Sequence, residues 1–215
     1  FFEWVVYFFR IFVAQGCIED VFNILAEEES PNETQLNFIR VINESIHALA
    51  QQKTRETELK ALIPVSGVHF LIANLAHNFR IIETKTGMGA SSKKDNILTD
   101  ENISVQIAVE VQFLFLLLEL FGDLTSIVHE CDAIQQGIFE ANLCLLCIDM
   151  LRCLSQADPI ESIKGMKVNL VRILGNLSFQ HFATQEQIRE AKGIELILNH
   201  TRIDPANEYI REWSV

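Results

Sequence analysis

The chain has 215 residues, 49% of them hydrophobic, with 9 Gly and 4 Pro, a composition that excludes a disordered or fibrous protein. Its formal charge is -12, from 17 Lys and Arg against 29 Asp and Glu, which argues against nucleic acid and anionic membranes as main partners. Residues 160–215 contain 7 charges of each sign, so residues 1–159 carry the whole excess, with 22 negative against 10 positive. We therefore expect basic protein surfaces as partners.

Apolar residues recur at helical spacing along most of the chain, whereas strand-like alternation is scarce. The predicted helices, in chain order, cover residues 1–15, 17–28, 32–52, 56–63, 67–82, 103–121, 124–131, 133–156 and 160–180. The first two are predicted to meet at Gly16. In the third, the predicted inward residues are Leu36, Ile39, Val41, Ile42, Ile46 and Leu49. The sequence therefore predicts an all-α fold.

Residues 83–102 interrupt this pattern with two glycines, a pair of serines, a pair of lysines and few large apolar side chains. This composition predicts a flexible loop. A loop of this kind leaves a stack of helices intact, so we predict a single domain over residues 1–215. The chain does not begin with Met and stops about two turns into its last predicted helix, so both ends are expected to be truncated.

The two richest apolar runs, residues 1–14 and 111–121, are interrupted by charged residues before they reach the ~18 residues of a membrane span. We interpret both as buried helices. Five cysteines in mainly apolar surroundings form no evident disulfide framework, which indicates a reducing, cytoplasmic location. Cys144 and Cys147 have the spacing of half a zinc site, but a second pair is missing, so we expect buried thiols and neither a metal nor a cofactor.

The C-terminal part of the chain has the most informative pattern. One helix face is predicted to be buried, and its residues are Val168, Leu170, Val171, Ile173, Leu174 and Leu177. A short helix containing Ile188 is predicted to end at Gly193, which would supply a left-handed cap. A second helix over residues 194–198, a turn at Pro205 and a third helix from residue 208 are predicted to follow.

This order of a short helix, a glycine corner, a medium helix, a turn and a longer helix resembles an armadillo repeat, whose third helix ends in a pattern like A-L-x-N-L. Here that position is occupied by Ile173–Leu177. The successive motifs LVRILGNLS, Q-x-x-IRE, GIxLIL and IREW, within residues 167–213, resemble the C-terminal region of the ataxin-10 family. The resemblance implies an armadillo-like right-handed helical solenoid.

The same resemblance implies a cytoplasmic interaction scaffold linked to cytokinesis, neuron survival and neurite growth. It also implies two kinds of protein partner, a cytosolic glycosyltransferase and a G-protein β subunit. The sequence leaves the oligomeric state open.

Polar residues at helical spacing are the candidates for partner binding. One stripe, with steps of three, four and four residues, consists of Asn169, Arg172, Asn176 and Gln180. A broken second stripe contains Asp149, Arg152 and Gln156, and a third contains Arg40, Glu44, His47 and Gln51. We expect the first stripe to face an open groove that holds an extended segment. The alternative is that each stripe is only the solvated face of an amphipathic helix.

Two other functions are weighed against a scaffold. Nuclear-import armadillo proteins hold peptide backbone at the position of Asn176, but they place a Trp one turn earlier, where this chain has Arg172. A cargo adaptor is therefore the less favoured interpretation. An uncharacterised helical enzyme is the third, and the sequence contains no H-E-x-x-H pair, no G-x-S-x-G elbow and no phosphate loop to support it.

Overall fold

A computed structural model describes residues 7, 11–26, 31–51, 59, 62–86, 108–156, 165–201 and 210. Every regular element within these residues is helical, so the predicted all-α class is confirmed. Within the described residues the α-helices of six or more residues are α1 (Ile18–Ile24), α2 (Glu33–Ala50), α3 (Val65–Thr86), α4 (Ala108–Ile127), α5 (Asp132–Glu140), α6 (Leu143–Gln156), α7 (Met166–Ser178), α8 (Phe182–Glu190) and α9 (Gly193–Leu198). Short 3-10 turns follow α4 and α9, at Val128–Glu130 and Asn199–Thr201.

Local sequence sets the start of α2. The Asn32 side chain accepts from the Gln35 backbone N–H, and the Gln35 side chain accepts from the Asn32 backbone N–H, which forms a capping box. The predicted inward face is confirmed at Leu36, Ile39, Ile42, Ile46 and Leu49, while Val41 is only half-buried. The predicted bounds of this helix are correct to within two residues.

The predicted break between residues 121 and 124 is wrong, because α4 continues through Gly122 and Asp123 to Ile127. Glycine weakens a helix interior, but here it makes room for a neighbour. A Cβ at Gly122 would lie 2.9 Å from Nη1 of Arg172, which belongs to α7. The close packing of α7 against this point offsets the poor helix propensity of glycine.

Two corners lie at residues other than those predicted. The predicted single helix 133–156 is divided into α5 and α6 at Asn142, which has a φ of 57°. The corner predicted at Gly193 lies at Lys192, with a φ of 56°, and Gly193 itself is helical. A Cβ at Gly193 would lie 3.0 Å from both Ile148 and Ile188, so this glycine permits close packing rather than a left-handed turn.

Helix α3 extends further than predicted, into the segment that was predicted to be a loop. Residues Glu83–Thr86 were expected in the loop but form the last turn of α3. The Thr86 hydroxyl donates to the Ile82 carbonyl at 2.7 Å, and Lys85 Nζ lies 2.6 Å from a carboxylate oxygen of Glu110 on α4. The remainder of the loop, most of the predicted helix 56–63 and most of residues 202–215 lie outside the described residues.

A structural unit recurs at an interval of 50 residues. Helices α5 and α8 begin at Asp132 and Phe182, each has 9 residues, and each is followed by a left-handed corner. The sequences around the two corners agree, since I-x-E-A occurs at 138–141 and again at 188–191.

Helix α7 begins later than predicted, at Met166, directly after Gly165 with a φ of 88°.

Helix α4 is the centre of the packing. It lies between α2 and α7 and contacts α3 as well. Residues Ala108–Glu130 are, among the described residues, the one stretch long and apolar enough to cross a membrane by length and composition, but 67% of the most apolar window is buried inside the protein. Phe113 and Phe121 are fully buried there. We interpret α4 as a core helix, as the sequence predicted for residues 111–121.

Two helical glycines should respond to alanine with opposite signs. A Cβ at Gly137 would lie 2.6 Å from Cγ1 of Val65, whereas a Cβ at Gly175 would meet nothing within 4 Å. We expect Gly137→Ala to lower the free energy of unfolding by about 1–3 kcal/mol through overpacking. Gly175→Ala should raise it by about 0.5–1 kcal/mol, because alanine favours the helix. Urea titration measures both, and effects of the same sign would contradict the packing of α5 on α3.

Candidate functional site

Three helices that are distant in sequence are joined by one carboxylate. Asp123 on α4 places Oδ2 2.7 Å from His47 Nδ1 on α2, and Oδ1 2.5 Å from Arg172 Nη2 on α7. The Asp123 side chain is 13% exposed and that of Arg172 is 26% exposed. We call His47, Asp123, Arg172 and Asn176 the polar ladder, because they run across α2, α4 and α7.

Asn176 is the last member of the ladder and also contacts α4. Its Nδ2 donates to the Gly122 carbonyl at 3.1 Å and to the Thr125 hydroxyl at 3.2 Å. Arg172 and Asn176 are half-buried and bond to α4, so part of their hydrogen-bonding capacity is used inside the protein, and the open groove stays a prediction. Whether they also contact a partner stays a prediction.

The other residues of the first stripe lie in different surroundings. Asn169 is half-buried on α7. Gln180 is exposed, but α7 ends at Ser178 and Gln180 has a φ of 51°, so it lies in the turn after the helix. The helical spacing that placed Gln180 in the stripe therefore does not apply to it.

The second stripe binds another part of the protein. Arg152 Nη1 lies 2.6 Å from Asp149 Oδ1, and Arg152 Nη2 donates to the Ala191 carbonyl at 2.9 Å. That carbonyl lies just after α8, so Arg152 ties α6 to the corner between α8 and α9. Asp149 and Gln156 are exposed. The structure gives Arg152 a role in packing, and its contact with a partner remains untested.

Beside the ladder, exposed carboxylates give the surface of α2 and α4 a negative charge. The pKa of Glu119 is raised, chiefly by partial burial and by the negative charge of Asp123. The Arg172 charge lowers this pKa, and the Glu44 charge raises it by a smaller amount. By accessible surface Glu44 and Glu119 are both exposed, although the protein displaces part of the water around the Glu119 carboxyl. The His47 side chain is 55% exposed. We call the polar ladder together with Glu44 and Glu119 the ladder face.

Sequence reasoning found part of the ladder face and missed its centre. Glu44 and His47 belong to one of the predicted stripes, and Arg172 and Asn176 to another. Asp123 was missed because it follows Gly122, a pair that was interpreted as a break between helices. A carboxylate within a long apolar run needs a cationic partner when it is buried, and that signal was present in the sequence.

An apolar cleft of about 310 Å³ lies between α7, α8 and α9. Its lining residues are mostly aliphatic, and they are Val171, Leu174, Gly175, Ser178, Gln185, Ile188, Ile194, Ile197 and Leu198. Gln185 Nε2 donates to the Ser178 carbonyl at 2.8 Å, so its amide is used within the cleft wall. The cleft suits an apolar group and brings no set of titratable side chains together.

The cysteines and a Ser–His pair offer little reactive chemistry. Burial raises the pKa of Cys144 to about 12, and burial with the charge of Glu83 raises that of Cys153 to about 11. These thiols are therefore protonated at neutral pH, which makes them poor nucleophiles. Ser155 Oγ lies 3.1 Å from His200 Nε2 but donates its hydrogen to the Leu151 carbonyl at 2.6 Å. While Ser155 donates to Leu151, its hydroxyl hydrogen is not directed at His200, which does not favour a nucleophile–base pair.

Residues 166–215 match a family described as the spinocerebellar ataxia type 10 protein domain. Over 52 residues the chain is 60% identical to the ataxin-10 homolog of Dictyostelium discoideum, a match that covers 24% of this chain and 8% of the relative. Ataxin-10 of Xenopus tropicalis is 39% identical over 58 residues, covering 27% and 12% of the two chains. Human ataxin-10 is 24% identical over 120 residues, covering 56% and 24%.

These matches confirm the resemblance predicted from the C-terminal motifs. The chain spans no more than 24% of the length of these curated relatives. No solved structure matches the chain.

Proposed function

We propose that the chain is a non-enzymatic scaffold of the ataxin-10 type, which binds other proteins, because residues 166–215 match the ataxin-10 family model. The ladder face is the observation that carries this proposal. Its side chains come from α2, α4 and α7; His47 and Arg172 both bond to Asp123, and Asn176 bonds to the backbone of α4. The exposed carboxylates beside these pairs, Glu44 and Glu119, offer negative charge to an extended partner.

The proposed architecture is an armadillo-like right-handed solenoid. Three observations support it: the 50-residue interval between α5 and α8, the corner in each unit, and the side-by-side packing of α2, α4 and α7. In this arrangement α2, α4 and α7 are the long third helices of successive repeats. The ladder face then lies on the wall that repeat proteins of this class use for binding.

Charge distribution supports a basic segment as the partner. Residues 95–151 contain ten Asp and Glu and no Lys or Arg. Within the described part of this stretch, Glu110 is bound by Lys85, Asp123 by Arg172 and Asp149 by Arg152. Glu119, with its raised pKa, lies among carboxylates on the ladder face, so a cation placed there would relieve repulsion.

The ataxin-10 resemblance extends the proposal to a cellular role. We propose a cytoplasmic protein that acts in cytokinesis and, in animals, in neuron survival and neurite growth. A cytosolic glycosyltransferase and a G-protein β subunit are the partners that the resemblance implies. We propose no cofactor, no bound metal and no contact with nucleic acid.

The nuclear-import alternative is disfavoured by geometry as well as by sequence. Import proteins of this fold use the amide at the Asn176 position for peptide backbone, but here Nδ2 is already donated to α4. Arg172, at the Trp position, pairs with Asp123 and covers Gly122. A partner would have to displace both sets of contacts.

Charge reversal on the ladder face tests the proposal. We expect the Glu44→Lys, Glu119→Lys double variant to bind a purified G-protein β subunit at least about 10-fold more weakly, because two attractive charges become repulsive. Titration calorimetry at low and high salt measures this loss. Glu44 and Glu119 are exposed, and the Glu119 carboxylate opposes folding at pH 7, so the variant should not have a lower melting temperature.

Glu190→Lys is the matched control, since Glu190 is an exposed carboxylate on α8, away from the ladder face. It changes the net charge in the same direction and should weaken binding much less. If Glu190→Lys and Glu44→Lys alone lost the same affinity for the β subunit, binding would depend only on the overall charge of the chain. Unchanged binding by the double variant would refute the ladder face as the partner site.

A further inference from the structure

Two large aromatic side chains are exposed in the turn between α7 and α8. Phe179 is 52% exposed and Phe182 is 74% exposed, although phenylalanine usually contributes to the core. Exposed aromatic side chains at a fixed turn are typical of protein interfaces. We call Phe179 and Phe182, with the histidines that contact this turn, the aromatic turn.

Hydrogen bonds fix the backbone of this turn before any partner arrives. Gln180 has a φ of 51°, which reverses the chain after α7. His181 caps α8, because its Nδ1 accepts from the Thr184 N–H at 3.2 Å. Gln185 Nε2 bonds back to the Ser178 carbonyl at 2.8 Å. Binding at a turn already ordered in this way loses less conformational entropy than binding at a mobile one.

Histidine rings hold the aromatic turn against its neighbours. The His129 ring lies 5.5 Å from that of Phe179, at 79°, and the His181 ring lies 5.5 Å from that of Phe139, at 61°. His129 belongs to the 3-10 turn Val128–Glu130, and Phe139 belongs to α5. The aromatic turn therefore lies alongside these two elements.

The elements beside the aromatic turn are acidic. Residues 128–140 contain Glu130, Asp132 and Glu140 but no Lys or Arg. On α8, the Arg189 guanidinium is 2.6 Å from a carboxylate oxygen of Glu186, so its charge is already matched. Glu130 Oε1 lies 4.0 Å from Nε2 of His129, whose ring contacts Phe179, so this carboxylate lies near the aromatic turn. A guanidinium can stack on a ring while its N–H groups reach a nearby acid.

We propose that the aromatic turn is a second binding surface, which receives an arginine side chain from a partner protein. Phe182 and Phe179 supply the stacking faces, and Glu130 and Asp132 supply the neighbouring negative charge. This surface adjoins the Asn176 end of the ladder face but uses ring stacking rather than the exposed carboxylates Glu44 and Glu119, so it goes beyond the function proposed above. An arginine fits better than a lysine because the planar guanidinium can stack and donate hydrogen bonds at once.

Labelled peptides test this proposal with the full chain. The probes are a fluorescein-labelled peptide of three Gly-Arg-Gly units and its lysine equivalent, compared by fluorescence anisotropy at low salt. We expect the arginine peptide to bind more tightly. Phe182→Leu and Phe179→Leu should each weaken it about 2- to 5-fold, because leucine keeps an apolar surface but has no ring.

Control variants separate this surface from the ladder face. Leu198→Ala removes an equally exposed apolar side chain from α9 and should leave the affinity unchanged. The double variant Glu44→Gln, Glu119→Gln should lower the affinity for the arginine peptide less than Phe182→Leu does. Equal affinity for the two peptides, wild-type affinity of Phe182→Leu, or no binding of either peptide would overturn the proposal. None of these results would decide the ladder-face proposal, which the charge-reversal experiment tests separately.

Discussion

Leu174→Ala should lower the free energy of unfolding by about 2–5 kcal/mol, one of the two largest effects that we expect from a single substitution in this chain. Leu174 is fully buried in α7, next to the apolar cleft that it helps to line. The substitution removes buried methyl groups and enlarges a space that is already present. Because α7 packs against both α4 and α6, neither neighbour can move in without losing contacts with the other.

Urea unfolding followed by circular dichroism measures this loss, with Gln180→Ala as the control. Gln180 is exposed in the turn after α7 and should change the stability by less than about 0.5 kcal/mol. Leu177→Ala provides a second core position, since Leu177 is 4% exposed on the same face. If Leu174→Ala and Gln180→Ala had the same effect, the inward face assigned to α7 would be incorrect.

The inward face of α7 was predictable because it depends on a local pattern. Leu170, Ile173, Leu174 and Leu177 recur at the spacing of one helix face, and all four are buried. The same logic found most of α2. Val41 and Val168 were also predicted to face inward but are only half-buried, so the pattern located the centre of each buried face and not its edge.

The corners were less predictable because the expected residue was the wrong one. A left-handed conformation favours glycine, so Gly193 was assigned to the corner that Lys192 makes. At Asn142 the apolar period continues on both sides, so nothing in the pattern separates α5 from α6. The comparison of 138–141 with 188–191 would have located this corner, because the two segments share I-x-E-A.

The polar ladder could not be predicted from one sequence, since its contacts join residues from α2, α4 and α7. The pair of His47 and Asp123 spans 76 residues, and that of Arg172 and Asp123 spans 49. Helical spacing indicated that Arg172 and Asn176 share one side of α7. It did not show that α4 lies against that side.

Asp123→Ala should lower the free energy of unfolding by about 2–4 kcal/mol. This loss is smaller than the loss from breaking a fully buried ion pair, because the Arg172 side chain is 26% exposed. The substitution leaves the Arg172 guanidinium over Gly122 without its carboxylate, and it removes the acceptor for His47. Combining it with Arg172→Ala gives a double-mutant cycle. The double variant should lose less than the sum of the single losses, because the second substitution removes the stranded charge.

Glu119→Gln, one turn earlier on α4, should have the opposite sign. The pKa of Glu119 is raised from its ordinary value of 4.5, chiefly by burial and by Asp123, so the folded chain binds this proton more tightly than the unfolded chain does. That stabilisation is complete below pH 4.5 and is lost as the pH rises through the raised pKa. At pH 7 the charged carboxylate therefore opposes folding, and glutamine should raise the melting temperature. A lower melting temperature for Glu119→Gln at pH 7, or strictly additive losses in the Asp123 cycle, would contradict the electrostatics assigned to the ladder face.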